Sequence, residues 1–349
     1  MSRVYILLVN WNGWADTVEC LESLFRLDYP DFRVIVCDNG SSDGSLEQIK
    51  SWAEGKLPEH PGGSSELCHL ISPPVIKPLS WIELARVSAE AGGDLEKLPP
   101  LILVRNEENL GFAGGNNVGL RFVLSRGDGD FVWLLNNDTV VPPGALKAMV
   151  ERLGNRPSGG ICGSSILNYR RPLRIDALGG AYYCRWLGLA WHLGRFRPFV
   201  GRFAVGTIER HMDYVVGASM LVSKRFLHDI GLLDESYFLY YEELDWATRS
   251  KGRFELVYAP DSVVYHKIGG TIGTSSSPGG KSLLSDYYTL RNRLRFTRKY
   301  YPIALPTVYL GVFCALIVRL LLGQWHKAHM VWRLLLDPDR SFDRCTANP

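Results

Sequence analysis

Short apolar runs alternate with helix-like segments over the first 150 residues, and no other feature of the sequence restricts the fold as much. The runs are Val4–Val9, Phe32–Cys37, Leu101–Val104 and Phe131–Leu135. A run without polar alternation is typical of a strand buried on both faces of a parallel sheet. Helical periodicity lies between the runs, so the sequence predicts a doubly wound, mostly parallel α/β sheet with flanking helices.

Two of the intervening segments carry clear helical patterns, and one segment interrupts the order. Asp16–Phe25 and Gly114–Leu124 have apolar residues at helical spacing. Lys56–Pro100 is rich in Pro and Gly and offers one plausible helix, Trp81–Glu90. We interpret this segment as a surface insertion, with acceptor binding as a lesser alternative.

Polar residues follow the end of every apolar run. In an open parallel sheet, ligands bind beyond the carboxyl ends of the strands, which share one rim. Asn and Asp also form turns, so any single end has a purely structural explanation. The four ends together favour a binding site, and they carry Asn10, Asp38-Asn39, Arg105-Asn106 and Asn136-Asn137-Asp138.

Spaced blocks along the chain resemble those of a known enzyme family. They read VNWNG, VCDNGSSDGS, NLGFAGGNNVG, LLNNDT, DESYFLYYEELDW, VVYHKIGGT and YYTLRNRLRFTRKYYP. In this order they resemble the family 2 inverting glycosyltransferases of GT-A fold, especially the rhamnosyltransferase-like bacterial members. The resemblance runs from about Arg3 to about Pro302, apart from the insertion. It implies a GT-A catalytic domain over residues 1–280.

The resemblance implies a nucleotide-sugar site at the strand ends. Asp38 would hydrogen-bond the nucleobase or ribose, with Asn10 and Asn39 beside it. An alternative is that Asp38 is a turn residue. Gly114 and Asn117 belong to a glycine-rich stretch at a helix N-terminus, where main-chain N–H groups and the helix dipole favour an anionic ligand.

The stretch Asn136-Asn137-Asp138 stands where the family has its metal-binding Asp-X-Asp motif. A departing pyrophosphate needs its charge neutralised, usually by a divalent cation on oxygen ligands, here Mn2+ or Mg2+. The first position is Asn, which supplies no charge, so Asp138 becomes the main ligand and Asn136 and Asn137 contact the donor. His266 resembles the histidine that completes the metal shell in some members, although a structural histidine is the alternative.

The segment Glu242-Glu243-Leu244-Asp245, which has three acids in four residues, resembles the family's Glu-Asp-X-Asp block. Its second acid is the general base, which takes the proton of the acceptor hydroxyl, and Glu243 holds that position here. Glu242 and Asp245 would be secondary acidic residues, with Asp245 an anchor rather than a catalyst. The alternative is an acidic helix N-terminus favoured by the dipole.

The function that the resemblance implies is inverting transfer of a sugar from a nucleotide diphosphate, with dTDP-rhamnose or a UDP-sugar as donor. The acceptor would be a hydroxyl of a glycan or lipid-linked molecule in cell-surface polysaccharide synthesis. One rival is a sugar-phosphate nucleotidylyltransferase, which would need a basic Gly-rich loop after the first strand. The other is a non-catalytic scaffold on a decayed transferase fold.

Residues 281–349 form a separate basic and apolar region, predicted to be a helical appendage that associates with a membrane. Ile303–Gly323 is about as long as a bilayer span, and Arg319 near its end could snorkel. Aromatic and basic residues precede it, as at a membrane interface. Three alternatives remain at this point: one true span, two interfacial helices, or a helical pair packed on the catalytic domain.

Charge and cysteine usage limit the partners and the compartment. A net charge of +3 is too small to suggest nucleic acid as a main partner. The seven cysteines form no CxxC pair, which is typical of reduced thiols in a cytosolic protein. The N-terminus is a poor signal peptide. We therefore expect a cytoplasmic protein at the inner face of the cell membrane.

Overall fold

The structure is a computed structural model that describes residues 2–57, 66–200, 203–267, 282–339 and 342. Within these ranges the strands are β1 (Val4–Asn10), β2 (Phe32–Asn39), β3 (Trp81–Ala85), β4 (Leu101–Asn106), β5 (Phe131–Leu135), β6 (Thr139–Val140), β7 (Gly159–Asn168), β8 (Arg171–Leu178), β9 (Gly180–Cys184), β10 (Leu189–His192), β11 (Tyr214–Val215), β12 (Ser219–Ser223) and β13 (Glu255–His266). The helices are α1 (Trp14–Leu24), α2 (Ser45–Ala53), α3 (Arg86–Glu90), α4 (Gly111–Arg126), α5 (Ala145–Gly154), α6 (Val205–His211), α7 (Lys224–Ile230), α8 (Glu242–Ser250), α9 (Leu283–Tyr300), α10 (Leu305–Leu321) and α11 (Trp325–Leu336).

One large mixed sheet organises the molecule. Its strand order is β3-β4-β2-β1-β5-β12-β7-β13-β6, and β8 pairs with β7. The first five strands in this order are parallel, whereas β12 runs antiparallel to both β5 and β7. A small antiparallel sheet, β10-β9-β11, lies apart from it. The predicted doubly wound, mostly parallel sheet is confirmed.

Both faces of the large sheet are buried, as the continuous apolar runs predict. Tyr5 and Leu7 of β1 pack on one face with α4, and Ile6 and Leu8 pack on the other with α1. Successive side chains of a strand point to opposite faces, so an all-apolar run suits a strand covered on both sides. None of the six cysteines in the described ranges forms a disulfide.

The predicted helix Trp81–Glu90 is wrong over its first half. Residues 81–85 form β3, an edge strand parallel to β4 with Trp81 opposite Leu101. Pairing with β4 satisfies the main-chain groups, and Leu84 joins the core that contains Ile102. These tertiary contacts override the local helical pattern. Only Arg86–Glu90 is helical, so the segment interpreted as a surface insertion also extends the sheet.

The three C-terminal helices build a small core of their own, in which side chains from α9, α10 and α11 pack together. Within the described ranges Pro302–Leu321 is long and apolar enough to cross a bilayer by length and composition, with a mean hydropathy of 2.1. Helix α9 also packs into the rest of the molecule, since Phe296 contributes to a cluster with Tyr237 and Leu244. It therefore joins the two regions that the sequence analysis separates at residue 280.

Candidate active site

A cavity of about 290 Å³ lies at the carboxyl ends of β1, β2, β5 and β13. Seven of the predicted site residues line it: Asn39, Asn136, Asn137, Asp138, Glu242, Glu243 and His266. A wider groove of about 1120 Å³ borders the far side of α8, and none of the predicted residues line it. The position of the smaller cavity is where open α/β sheets bind ligands.

The remaining predicted residues do not line the cavity. Asn10 and Asp38 are buried directly behind it, paired across the ends of β1 and β2. Asn10 donates to Asp38 Oδ1 at 2.7 Å, and Ser41 donates to the same oxygen at 2.6 Å through its hydroxyl. The Asp38 carboxylate thus fixes the turn after β2. Its contact with a nucleotide stays a prediction.

Asn39 connects three elements at the rim. Its side-chain amide donates to the main-chain oxygen of Gly111 at 2.9 Å and accepts from Asn106 at 2.8 Å. Gly111 has φ of 71°, and a Cβ there would lie 2.3 Å from the main-chain oxygen of Phe238. Only glycine allows this close approach between the start of α4 and the loop at Phe238.

Gly114 and Asn117 lie within α4 rather than before it. Asn117 donates to the main-chain oxygen of Leu233 at 2.9 Å and to Glu235 at 2.8 Å, and it accepts from Leu233 N at 3.1 Å. A Cβ at Gly114 would lie 2.7 Å from Leu110 Cβ. These contacts show packing and loop attachment. The donor-binding role that the resemblance implies for both residues stays a prediction.

The turn after β5 brings Asp138 against His266 at the end of β13. His266 Nε2 lies 3.1 Å from Asp138 Oδ1 and 3.3 Å from Asn136 Nδ2. Burial would lower the pKa of His266, but the charge of Asp138 and their hydrogen bond raise it above its ordinary value. Burial would raise the pKa of Asp138, and the imidazole lowers it. Each side chain therefore stabilises the charged form of the other.

Neighbouring contacts hold this pair in place. Asn137 donates to Thr17 Oγ1 at 2.9 Å, which ties the turn to α1. The main-chain N–H of Lys267 donates to the main-chain oxygen of Asp138 at 3.0 Å. Its ammonium group binds Asp16 at 2.5 Å and also contacts Glu19, both on α1. Both sides of the Asp138–His266 pair are thus anchored to the first helix.

Glu242 and Glu243 begin α8 and both reach the cavity. Burial raises the pKa of Glu243 to about 7. Burial and the charge of Glu243 together raise the pKa of Glu242 well above its ordinary value. Among the described residues, neither Glu242 Oε2 nor Glu243 Oε2 has a hydrogen-bond partner. An acid at a helix N-terminus normally has a lowered pKa, so the helix dipole alone does not explain this pair.

Asp245 is an anchor, as the sequence analysis expects. Its side chain is fully buried and accepts from Arg249 Nε at 2.7 Å. The Lys299 ammonium and the Tyr300 hydroxyl, both on α9, bind its other oxygen at 2.7 Å each. The carboxylate therefore fixes α8 to α9, well satisfied and turned away from the cavity.

The sequence analysis did not predict several of the cavity residues as site residues. They are Val9, Trp11, Asn109, Phe112, Leu135, His192, Val216–Ala218, Phe238–Tyr240 and Leu284. Burial lowers the pKa of His192 to about 4, so this side chain is neutral at pH 7. It lies on β10, in a part of the chain that carries none of the recognised blocks. The run Phe238–Tyr240 belongs to a recognised block, but the sequence did not indicate that it lines the cavity.

The side chains at the rim offer some, but not all, of the ligands that a divalent cation needs. Within the described ranges there is no group of three or more His, Cys, Asp or Glu side chains that could hold a metal ion. Asp138 and His266 could supply two ligands, since their side-chain oxygen and nitrogen lie 3.1 Å apart at the rim. Such ions often keep water and substrate phosphates as further ligands.

The sequence profile of the glycosyl transferase family 2 matches residues 5–62 and 88–188, on either side of β3. Over these two segments the chain is similar to this family. The matched segments contain the ends of β1, β2 and β5, three of the four strands whose ends border the cavity. Glu243 and His266 are outside them.

Two curated relatives support the similarity. The chain is 26% identical over 145 residues to the low-salt glycan biosynthesis hexosyltransferase Agl10 of Haloferax volcanii, covering 41% of this chain and 44% of that protein. It is also 26% identical over 145 residues to the N-acetylglucosaminyl-diphospho-decaprenol L-rhamnosyltransferase of Mycobacterium tuberculosis, covering 39% and 47%. The chain thus aligns with a little under half the length of these relatives.

Solved structures identify the fold as GT-A. The mannosyltransferase PcManGT of Pyrobaculum calidifontis, in complex with GDP-Man and Mn2+, superposes with a TM-score of 0.52 at 14% identity and covers 97% of this chain and 88% of its own. GalNAc-T7 with UDP, GalNAc and Mn2+ gives 0.53 at 14% identity, covering 85% and 48%. At these identities the similarity shows the fold alone.

Proposed function

We propose that the chain is an inverting glycosyltransferase that moves a sugar from a nucleotide diphosphate to a hydroxyl of a glycan or lipid-linked acceptor. The match to the family over residues 5–62 and 88–188 and relatives named for glycan synthesis support glycosyl transfer. The observation that carries the finer proposal is one cavity lined by two different groups. The first is a proton-accepting carboxylate with an unsatisfied oxygen, Glu243, and the second is the Asp138–His266 pair.

Glu243 is the general base in this proposal. An acceptor hydroxyl must lose its proton as its oxygen attacks the anomeric carbon, and a base with pKa near the working pH does this best. Burial raises the pKa of Glu243 to about 7, which meets that condition. The oxygen–carbon bond forms as the bond to the nucleotide diphosphate breaks, the proton passes to Glu243, and a single displacement inverts the anomeric centre.

Mn2+ or Mg2+ would be held by Asp138 and His266, with Asn136 and Asn137 at the same rim. When bound, the cation would neutralise the negative charge that develops on the departing diphosphate. Two protein ligands leave room for phosphate oxygens and water. The two structural neighbours named above were solved with Mn2+, which supports the proposal.

The donor is proposed to be dTDP-rhamnose, with UDP-hexoses as the next candidates. The support is a relative named as an L-rhamnosyltransferase and another named as a hexosyltransferase. The lipid-linked diphosphate in the name of the first relative likewise supports a lipid-linked acceptor, and with it a role in cell-surface polysaccharide synthesis.

A donor-hydrolysis and donor-binding screen tests the proposal. The purified chain is incubated with dTDP-, UDP- and GDP-sugars, with Mn2+, with Mg2+ or with EDTA, and release of nucleotide diphosphate is measured. We expect metal-dependent release from one donor. The Glu243→Gln variant should lower turnover by a factor of about 10² to 10⁴ while binding the donor normally. The exposed Glu255→Gln is the matched control.

Two outcomes contradict the proposal. If folded protein binds no donor with metal present, the scaffold alternative replaces it. If Glu243→Gln retains full turnover, the base is a different group, even where glycosyl transfer itself is observed.

A further inference from the structure

Helix α10 exposes one apolar face along its whole length. Leu310, Phe313, Ile317 and Leu321 recur at helical spacing, and Leu310 and Leu321 are 62% and 81% exposed. The opposite face, with Val308, Val312 and Leu316, packs against α9 and α11. No charged side chain lies on the exposed face. A monomeric soluble protein rarely presents so long an apolar stripe to water.

Helix α11 continues the exposed surface. Trp325, Trp332 and Leu336 are exposed at helical spacing, with Trp325 at 68%, while Ala328 and Val331 pack inward. Exposed His326 and His329 lie beside the two tryptophans. An amphipathic helix with Trp and Leu on one face is typical of an element that lies in a membrane interface.

A third element, from a distant part of the chain, extends the same surface. The turn between β9 and β10 carries exposed Trp186 and Leu187. Thr307 of α10 donates to the main-chain oxygen of Trp186 at 2.6 Å. A Cβ at Gly188 would lie 3.3 Å from Val308, so the turn packs directly on the start of α10. The exposed Trp186 and Leu187 side chains therefore lie beside the start of α10.

Charge distinguishes this region from the rest of the molecule. Between Leu283 and Leu336 the sequence contains eight Lys and Arg residues against one acidic residue, Asp286, while the whole chain carries only +3. Asp286 is buried and paired with Arg319 at 2.8 Å. Arg185 is exposed beside Trp186, while the exposed Arg298 at the end of α9 is paired with Asp339. Such cations complement anionic lipid headgroups.

We propose that these three elements form one membrane-binding surface, here called the apolar platform: α10 from Leu305 to Leu321, α11 from Trp325 to Leu336, and the turn at Trp186-Leu187. The platform seats on an anionic bilayer at the inner face of the cell membrane, with the exposed face of α10 among the acyl chains and tryptophans at its margins. The proposal rests on the proposed function only in that a seated enzyme would meet a lipid-linked acceptor.

The platform lies on the bilayer, and α10 does not cross it. To span, α10 would have to leave the core that Val308, Val312 and Leu316 share with α9 and α11. It would also break the Arg319–Asp286 ion pair, in which both side chains are largely buried. Breaking a buried pair is costly because it leaves an uncompensated charge. Arg319 therefore points into the helix bundle. The sequence analysis instead considered that it could snorkel toward the membrane surface.

Vesicle sedimentation and thiol labelling test the platform with the full chain. The chain is mixed with phosphatidylcholine vesicles, with and without phosphatidylglycerol, and treated with a membrane-impermeant maleimide. Cys314 is exposed on the apolar face of α10, and Cys68 is exposed outside the platform. We expect sedimentation with vesicles, stronger with phosphatidylglycerol, and protection of Cys314 while Cys68 still reacts. An alkaline carbonate wash should release the protein.

The double variant Phe313→Glu/Ile317→Glu should weaken vesicle binding at least tenfold, since each change replaces an apolar side chain on the lipid-facing stripe with a charged one. Val87→Glu, at an exposed apolar residue of α3, is the matched control and should bind normally. Donor binding in solution should be unchanged in both variants, so failure of the platform and failure of the proposed function are separately visible.

Three outcomes overturn the proposal. Retention in the carbonate-washed pellet would show that α10 spans the bilayer. Protection of Cys314 without vesicles, increasing with protein concentration together with the apparent mass, would assign the apolar face to a second copy of the chain. Equal labelling of Cys314 with and without vesicles would show that lipid does not cover the face.

Discussion

The side-chain amide of Asn292 donates to the main-chain oxygen of Tyr237 at 2.8 Å, linking the middle of α9 to the loop that precedes the candidate base. The same nitrogen donates to Leu239 at 2.8 Å and Tyr240 at 3.0 Å. This loop is unusual because Phe238, Tyr240 and Tyr241 all have positive φ, at 65°, 67° and 75°. Bulky residues rarely adopt such angles, so the surrounding structure must hold them there.

Replacing Asn292 should therefore weaken both stability and catalysis. Asn292→Leu keeps the size but removes the donor from three buried carbonyl oxygens, and an unsatisfied buried group costs about 1–3 kcal/mol. We expect a lower free energy of unfolding by urea denaturation, and a larger loss in kcat than in donor affinity. The exposed Asn155→Leu is the control. A variant with normal stability and normal kcat would show that α9 does not hold the loop.

Transfer should depend on pH through Glu243. The reaction needs the carboxylate form, and burial raises the pKa of Glu243 to about 7. Activity should therefore be high above pH 7 and fall as the pH drops through about 7. The measurement is kcat/KM from pH 5.5 to 8.5 at saturating metal. The residual activity of Glu243→Gln should lack this inflection, and an unchanged inflection in that variant would assign it to a different group.

Glu242 should reduce stability as the pH rises. Its pKa is raised well above 4.5 in the folded protein, by burial and then by the charge of Glu243. A raised folded-state pKa gives stability that is complete below the unfolded value and is lost as the pH rises toward the folded value. Glu242→Gln removes this dependence, so its melting temperature should exceed that of the wild type by a margin that widens from pH 5 to pH 8. A constant margin would contradict the raised pKa.

Metal affinity should respond in opposite directions to two substitutions at the rim. Asp138→Asn removes the negative ligand and should weaken Mn2+ binding at least about tenfold. In the wild type, Asn136 Nδ2 lies 3.3 Å from His266 Nε2. Asn136→Asp places a carboxylate oxygen at this position and should strengthen Mn2+ binding. Calorimetric titration of Mn2+ in the presence of a nucleotide diphosphate measures both. Equal affinities in all three proteins would place the metal elsewhere.

The buried strands were predictable because burial on both faces leaves a local trace, an unbroken apolar run such as Val4–Val9. Edge strand β3 was not, because its stability comes from pairing with β4, which local periodicity does not record. At the site, the recognised blocks predicted Asp138, Glu243 and His266, which do share one cavity. They could not reveal His192, which reaches that cavity from the separate three-stranded sheet, nor the hydrogen bonds that occupy Asn117 within the protein.

Helix α9 has two structural roles. One side of it holds the loop before Glu243, and another side supplies Tyr287, Leu290 and Leu294 to the core beneath the platform. The lipid-facing part is consequently not a detachable module. A chain cut after Tyr300 would keep Asn292 and the Lys299–Asp245 pair, but it would expose Tyr287, Leu290 and Leu294, which α10 and α11 cover. A shortened chain that stops before Leu283 would lose the support of its own catalytic loop along with the membrane surface.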